Sequence, residues 1–157
     1  MIPLNNYLEV IDLLSRYAHV VDSDRLEEWP DFFVPDCHYK IITIENIQQG
    51  FEAGIVLCDG QSMLKDRVTY IRKAAVFNAH RDRHILSHPV IFAQDGDTLK
   101  VTTSFAIYQS EPDRDSRLFA VGYYDDLIVR TEEGLKFSAR VVVLENNSVM
   151  PLLCSPL

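Results

Sequence analysis

Three histidines, His80, His84 and His88, stand four residues apart. On a helix that spacing stacks the rings on one face, where imidazoles can share a metal ion. The neighbouring residues argue for a different backbone. Pro89 disfavours helical geometry in the residue before it. His84, Leu86, His88, Val90 and Phe92 fall on one side of an alternating pattern, as in a strand. In an extended chain His84 and His88 share a face but lie two pleats apart, a long reach for one metal. A structural or hydrogen-bonded role is the favoured reading.

A second constellation is Tyr17, Asp22, His38, His84 and Tyr108. A carboxylate or imidazole of tuned pKa beside a hydroxyl donor can perform acid–base chemistry. Sequence spacing does not bring these side chains together, and Asp22 stands where a cap or turn residue is expected, so structural roles are again favoured. Cys37 and His38 are adjacent, but consecutive strand residues face opposite ways and cannot form a catalytic pair. The sequence contains no G-x-S-x-G, P-loop or G-x-G-x-x-G motif. Asp66-Arg67 and Arg81-Asp82-Arg83-His84 place opposite charges near both ends of one helix–strand unit. A buried ionic network is expected for Arg67 and His84, which flank apolar positions, with Arg81 and Arg83 in solvent.

The elements that must carry these groups are legible from periodicity. Leu4 to Val21 reads as an amphipathic helix with the stripe Leu4, Leu8, Ile11, Leu14, Ala18 and Val21. Asp22-Ser23-Asp24 breaks it, and Ser23 or Asp24 can cap a short helix over Arg25 to Glu28. Trp29-Pro30 ends or kinks that helix. Cys37 to Ile44 predicts a first strand; 45–60 is irregular, with room for a short strand or helical turn around Ile55 to Leu57. Ser62 can cap a third helix that runs to about Phe77 on Leu64, Val68, Ile71 and Ala75, with Lys65 where a capping-box glutamate would sit. Strands follow at about His84 to Gln94, Thr98 to Gln109, Arg117 to Arg130 and Leu135 to Asn146, separated by short turns. Strands so joined are antiparallel neighbours. Three helices followed by a meander predict an α+β fold, with a curved antiparallel sheet wrapped over the helices as a cone.

The chain has 157 residues, read as one domain over 1–157, with 47% hydrophobic and 24% charged residues and a formal net charge of -8. An acidic chain without a basic block is a poor ligand for phosphate backbones, which argues against nucleic acid as a partner. No apolar run reaches the roughly 18 residues of a membrane span. The N-terminus lacks the regions of a signal peptide. Cys37, Cys58 and Cys154 are odd in number and widely spaced, which fits a reducing, cytoplasmic compartment. The last two strands lack a polar face: Val141 to Leu144 are all apolar, and Phe119 to Tyr124 alternate apolar with apolar. A single sheet over helices should be wet on one side. A partner covering the outer face is the favoured explanation, and an ordinary central strand is the other.

Several segments carry a resemblance. They are Arg16-Tyr17-Ala18 with Asp22, Leu26 to Phe33 (LEEWPDFF), Asp36-Cys37-His38-Tyr39, Met63 to Val68 (MLKDRV) and Arg83-His84-Ile85-Leu86-Ser87. In this order and spacing the chain resembles the small (beta) subunits of aromatic-ring-hydroxylating (Rieske-type) dioxygenases. It is most similar to those acting on carboxylated rings such as terephthalate, salicylate and anthranilate.

The resemblance implies a cone-shaped fold like nuclear transport factor 2 (SnoaL-like). It implies an assembly of three large plus three small subunits that inserts dioxygen into an aromatic ring with electrons drawn from NADH. In that family the large subunit holds the Rieske iron–sulfur cluster and the mononuclear iron, and the small one is structural, so no catalytic, cofactor or metal residue is carried over here. Asp66, Arg67 and His84 match positions of structural character. The sequence agrees independently. The C-x-H and C-x-x-H spacings of a Rieske centre are absent, as is the D-x-x-H-x-x-x-x-H pattern of the mononuclear iron. The competing reading is a stand-alone isomerase or dehydratase of the same cone fold, using Tyr17, Asp22 or His84 as acid or base. A third is a small-ligand binding module with a roomy apolar cavity.

Overall fold

The computed structural model describes residues 3–146 and 155–157. Helix α1 spans Leu4–Asp22 and buries Val10, Leu13, Leu14, Tyr17, Ala18, Val20 and Val21. Leu14, Ala18 and Val21 of the expected stripe are buried, but its N-terminal half is not: Leu4 and Leu8 are 69% and 53% exposed. Val10, Leu13, Tyr17 and Val20 form a stripe of their own at steps of three and four, and the aromatic ring and its neighbours took the core.

A 3₁₀ helix follows at Leu26–Phe32 with Arg25 at its N-cap and no side-chain cap, so neither Ser23 nor Asp24 plays that part. Asp24 instead takes φ 57°. Pro30 sits inside this helix rather than ending it. In a short 3₁₀ segment the missing donor removes little, and burial of Leu26, Trp29 and Phe32 carries the chain on to Phe32.

Strand β1 runs Phe33–Thr43. The irregular stretch resolves into a short helix α2 at Ile44–Gln48, capped by the Thr43 hydroxyl, and strand β2 at Val56–Asp59. Helix α3 spans Gln61–Lys73, with Gly60 at φ 91° as N-cap in place of Ser62. Leu64, Val68 and Ile71 are buried as expected. The helix stops short of Phe77: beyond Ile71 no residue up to Phe77 is fully buried, Ala75 is only half-buried and Val76 is 95% exposed.

The predicted strand over His84 to Gln94 is two strands, β3 (Arg81–Leu86) and β4 (Val90–Asp95). Both pair antiparallel with β5 (Thr98–Ser110), β3 along residues 105–110 and β4 along 98–102. They form one broken edge, interrupted at Ser87-His88-Pro89, where proline cannot donate to a ladder. The break resets the alternation, so His84 is buried while Val90 and Phe92 are exposed. Strands β6 (Arg117–Thr131) and β7 (Gly134–Leu144) complete the meander.

The sheet order is β2-β1-β7-β6-β5-β3, with β4 also on β5. All neighbours are antiparallel except β1 and β7, which pair parallel from Phe33↔Phe137 to Thr43↔Leu144. The sheet is thus mixed rather than wholly antiparallel. No short hairpin joins β1 to β7, so the chain is free to bring them together in the same direction. Register shifts in four ladders, such as that between Leu127 and Ile128, bend and twist the sheet. The outcome is the expected cone, half-open, whose inner face packs on α1, the 3₁₀ helix and α3. Trp29, Phe33, Tyr39, Tyr17 and Phe137 meet mostly edge to face in its core, with centroids 5.1–6.3 Å apart.

The outer face is mixed: His38, Lys40 and Asp125 share it with apolar side chains. Ile42 and Val143 are cross-strand partners and are buried, while Leu57, Ile85, Tyr108 and Leu127 are each 40–54% exposed.

Among the glycines, Gly122 lies tightest against a neighbouring strand. A Cβ there would stand 1.9 Å from the Val143 carbonyl oxygen. Gly122→Ala must force β6 and β7 apart, so a loss of at least about 2 kcal/mol in urea unfolding is expected; an unchanged midpoint would show that the strands slide freely here.

Candidate functional site

Asp22 is the last residue of α1, and His84 lies in β3. Their side chains are 4% and 1% exposed. The His84 ring Nδ1 lies 2.6 Å from Asp22 Oδ1, and the His84 backbone N–H donates to Asp22 Oδ2 at 3.0 Å. A buried carboxylate accepting from the ring fixes the tautomer, with Nδ1 as donor. His84 Nε2 faces inward without a partner among the described residues. An imidazole oriented by a carboxylate has the form of an acid–base pair. Here it is enclosed by the seam between α1 and β3 and acts first as a pin between those elements. Arg83 stands on the solvent side, its Nη1 3.9 Å from Asp22, and Arg81 is exposed.

The structure does not assemble the other candidates around this pair. Tyr17 is buried in the aromatic core, where its hydroxyl donates to the Leu157 carbonyl at 2.9 Å and accepts from Trp29 Nε1 at 3.0 Å. His38 lies on the outer face with Asp59, 2.5 Å away, and Tyr108 is 44% exposed. Cys37 is buried while His38 is half-exposed, as their adjacency in β1 requires. Burial pushes the Cys37 and Cys58 thiols up, which keeps them protonated. Cys154 lies outside the described residues.

His80 Nδ1 is 2.7 Å from the Asn78 carbonyl oxygen, its Nε2 is 3.7 Å from Asp82 Oδ2, and His88 is exposed. Among the described residues no three histidines, cysteines or carboxylates form a group able to hold a metal ion. Asp66 is exposed on α3, whereas Arg67, on the same helix, is half-buried and acts on the buried Tyr39 and Cys58. His84 has Asp22, not Asp66 or Arg67, as its hydrogen-bond partner.

Above the Asp22–His84 seam lies a cavity of about 570 Å³, lined in part by Asp22, Asp24, Arg72, His80, Asp82 and Ser155. Arg72 closes one wall. Its guanidinium donates to both carboxylate oxygens of Asp24 at 2.8 and 2.9 Å, to the Asp24 carbonyl at 2.7 Å, and to Glu27 at 2.8 and 3.0 Å. The Arg72 hydrogen bonds hold the Glu27 carboxyl down to about 2.

Two groups had no place in the sequence reading. Arg140 and Asp126 form a fully buried bidentate pair at 2.9 and 2.7 Å. The guanidinium carbon lies 4.0–4.2 Å from the ring centroids of Tyr17, Tyr124 and Phe137. The available signal was a charge in the middle of each of two apolar strands.

Removing the Asp22 carboxylate leaves a buried ring and a backbone N–H unpaired. Asp22→Ala is expected to cost about 2–4 kcal/mol in urea unfolding, and an effect below 1 kcal/mol would exclude the pin. Arg72→Ala tests the exposed clamp. Glu27 has a lowered folded pKa, so its contribution is present above the unfolded value near 4.5 and disappears as pH falls toward about 2. The wild-type advantage over Arg72→Ala should therefore shrink between pH 5 and pH 2, and shrink again in high salt.

Residues 3–141 match the SnoaL-like domain family. Over 154 residues the chain is 35% identical to the anthranilate 1,2-dioxygenase small subunit of Burkholderia cepacia, covering 98% of this chain and 96% of that one. It is 34% identical to subunit beta 1 of the terminal oxygenase component of terephthalate 1,2-dioxygenase from Comamonas sp., covering 97% and 99%. A crystal structure from Novosphingobium aromaticivorans, described as the beta subunit of an aromatic-ring-hydroxylating dioxygenase, superposes with a TM-score of 0.90 at 30% identity over 98% of both chains. The likeness runs end to end and includes both the curved sheet and the helices that fill it. This chain belongs to the small (beta) subunits of aromatic-ring-hydroxylating dioxygenases.

Proposed function

We propose that this chain is the non-catalytic, structural subunit of a dioxygenase for carboxylated aromatic rings, and that it assembles with an iron-containing large subunit as three plus three. The observation that carries the reading is the nearly full-length identity to small subunits of anthranilate and terephthalate dioxygenases. Physical features support it. The outer sheet face presents Leu57, Ile85, Tyr108 and Leu127 partly exposed, the kind of surface that association buries. Holding large subunits in register is work that a stiff, partly apolar sheet can do.

The redox groups belong to the partner in this reading. A Rieske centre needs paired cysteine and histidine ligands. Cys37 and Cys58 are buried in the core and His38 faces away from them, so the donors among the described residues do not fit such a cluster. Ring recognition and oxygen chemistry then lie in the large subunit's pocket, in the cytoplasm where reduced pyridine nucleotide is available.

The competing isomerase or dehydratase reading has the Asp22–His84 pair in its favour. Against it, the Tyr17 hydroxyl is engaged by Leu157 and Trp29, and the His84 ring is 1% exposed.

Co-expression with the large subunit encoded beside it tests the proposal. The two chains should co-purify in equal amounts with a light-scattering mass of three plus three, and iron should track the large subunit. A small subunit that stays apart and converts a ketone or dienol without iron would replace this reading with the isomerase.

A further inference from the structure

Leu157 is 1% exposed and belongs to the hydrophobic core. Ser155 lines the cavity above the seam, and Pro156 and Leu157 are buried beyond it. The segment thus enters the molecule beside Asp22 and reaches the aromatic rings of the core with Leu157.

Its main chain is gripped by side chains. The Leu157 carbonyl accepts from the Tyr17 hydroxyl at 2.9 Å and from the Tyr39 hydroxyl at 3.3 Å, while the Leu157 N–H donates to Tyr39 at 3.1 Å. Trp29 Nε1 donates to Tyr17 at 3.0 Å and orients that phenol. Tyr17, Trp29 and Tyr39 are all 0–1% exposed. Burial pushes both phenols up, so they remain neutral donors. The described hydrogen bonds of the Tyr39 hydroxyl all go to Leu157, so withdrawal of the segment would strand it in the core, where an unpaired hydroxyl is costly. A second observation points the same way. Arg140, whose guanidinium lies 4.2 Å from the Tyr17 ring centroid, keeps its Nη1 without a hydrogen-bond partner among the described residues. The guanidinium, held on two nitrogens by Asp126, therefore stands beside the phenol whose hydroxyl holds the carbonyl oxygen.

We propose that the aromatic floor of the cone is a binding site for a leucine-sized acyl group with a carbonyl or carboxylate head, and that the chain fills it with its own Leu157 as a tethered ligand. The fold's interior is then occupied by its own polypeptide, and a small apolar carboxylate competes for it only when Ser155–Leu157 is withdrawn. This goes beyond assembly with a large subunit and does not depend on it.

The protein has a single tryptophan, Trp29, so its emission reports on this site alone. The test compares the full chain with one lacking residues 155–157, each titrated with N-acetyl-Ser-Pro-Leu and with 4-methylpentanoate. The shortened chain should show red-shifted emission and a melting midpoint lower by roughly 5–10 °C. Both probes should restore these values saturably, with no response from the full chain. Unaltered emission and midpoint on shortening, or a shortened folded chain that ignores both probes, would overturn the proposal. Should the shortened chain fail to fold, Tyr39→Phe and Leu157→Ala in the full chain decide. Each should shift Trp29 emission and lower the midpoint by several degrees, and two variants that match the parent would overturn it equally.

Discussion

The interior is organised around one buried charge pair. Arg140 and Asp126 face each other across β7 and β6, fully buried, with three aromatic rings packed on the guanidinium. A buried ion pair is weak evidence for stability, because desolvation cancels most of the attraction. The rings change the balance, since a desolvated cation over aromatic faces gains further attraction from each. Burial pushes the Asp126 carboxyl up against the pull of Arg140. The pair also fixes geometry. Asp126 is the cross-strand partner of Arg140, and a slip of one residue would turn one of them outward and leave a charge stranded in the core. Tyr17 brings α1 to the same point, and through its hydroxyl it reaches Trp29 in the 3₁₀ helix and Leu157. Four separate segments of chain are thus located by one guanidinium.

Against that frame the Asp22–His84 pair takes a secondary, local role. It joins the end of α1 to the edge strand β3 at a point 62 residues away in sequence. A dyad of this type elsewhere could move protons. Here the ring nitrogen left over is buried without a partner among the described residues, and the Tyr17 hydroxyl is engaged elsewhere, by Leu157 and Trp29. Through its two oxygens Asp22 holds both the ring and the backbone N–H of His84, so the end of α1 is fastened to β3 at two points.

Much of this was legible where the signal is local. The stripe Leu64, Val68 and Ile71 fixed α3, and alternation fixed β5 to β7 within a residue or two. The family was legible from segments such as 26–33 and 63–68, which hold the packing of the helices against β1. Partnership was not legible. Asp22 and His84 each stood out, but their pairing depends on how α1 crosses β3. Arg140 looked like one charge in a valine-rich strand, and only the facing strand supplies Asp126. Pro89 signalled extended chain correctly yet also broke the strand, so the burial expected of Val90 and Phe92 did not carry past it. Burial of Leu157 left no local mark, because its partners are hydroxyls on α1 and β1.

The parallel ladder between β1 and β7 joins residues such as His38 and Ala139. On the ribosome, about 100 residues emerge between the two, on the order of 5–20 s of synthesis. Through that interval the nascent β1 has only the short β2 as a neighbour, and its other edge is an open template for stray strands. Contacts so distant along the chain also make for slow folding. Until β7 is made, the open edge of β1 is therefore the part of the nascent sheet with most to lose from a wrong pairing.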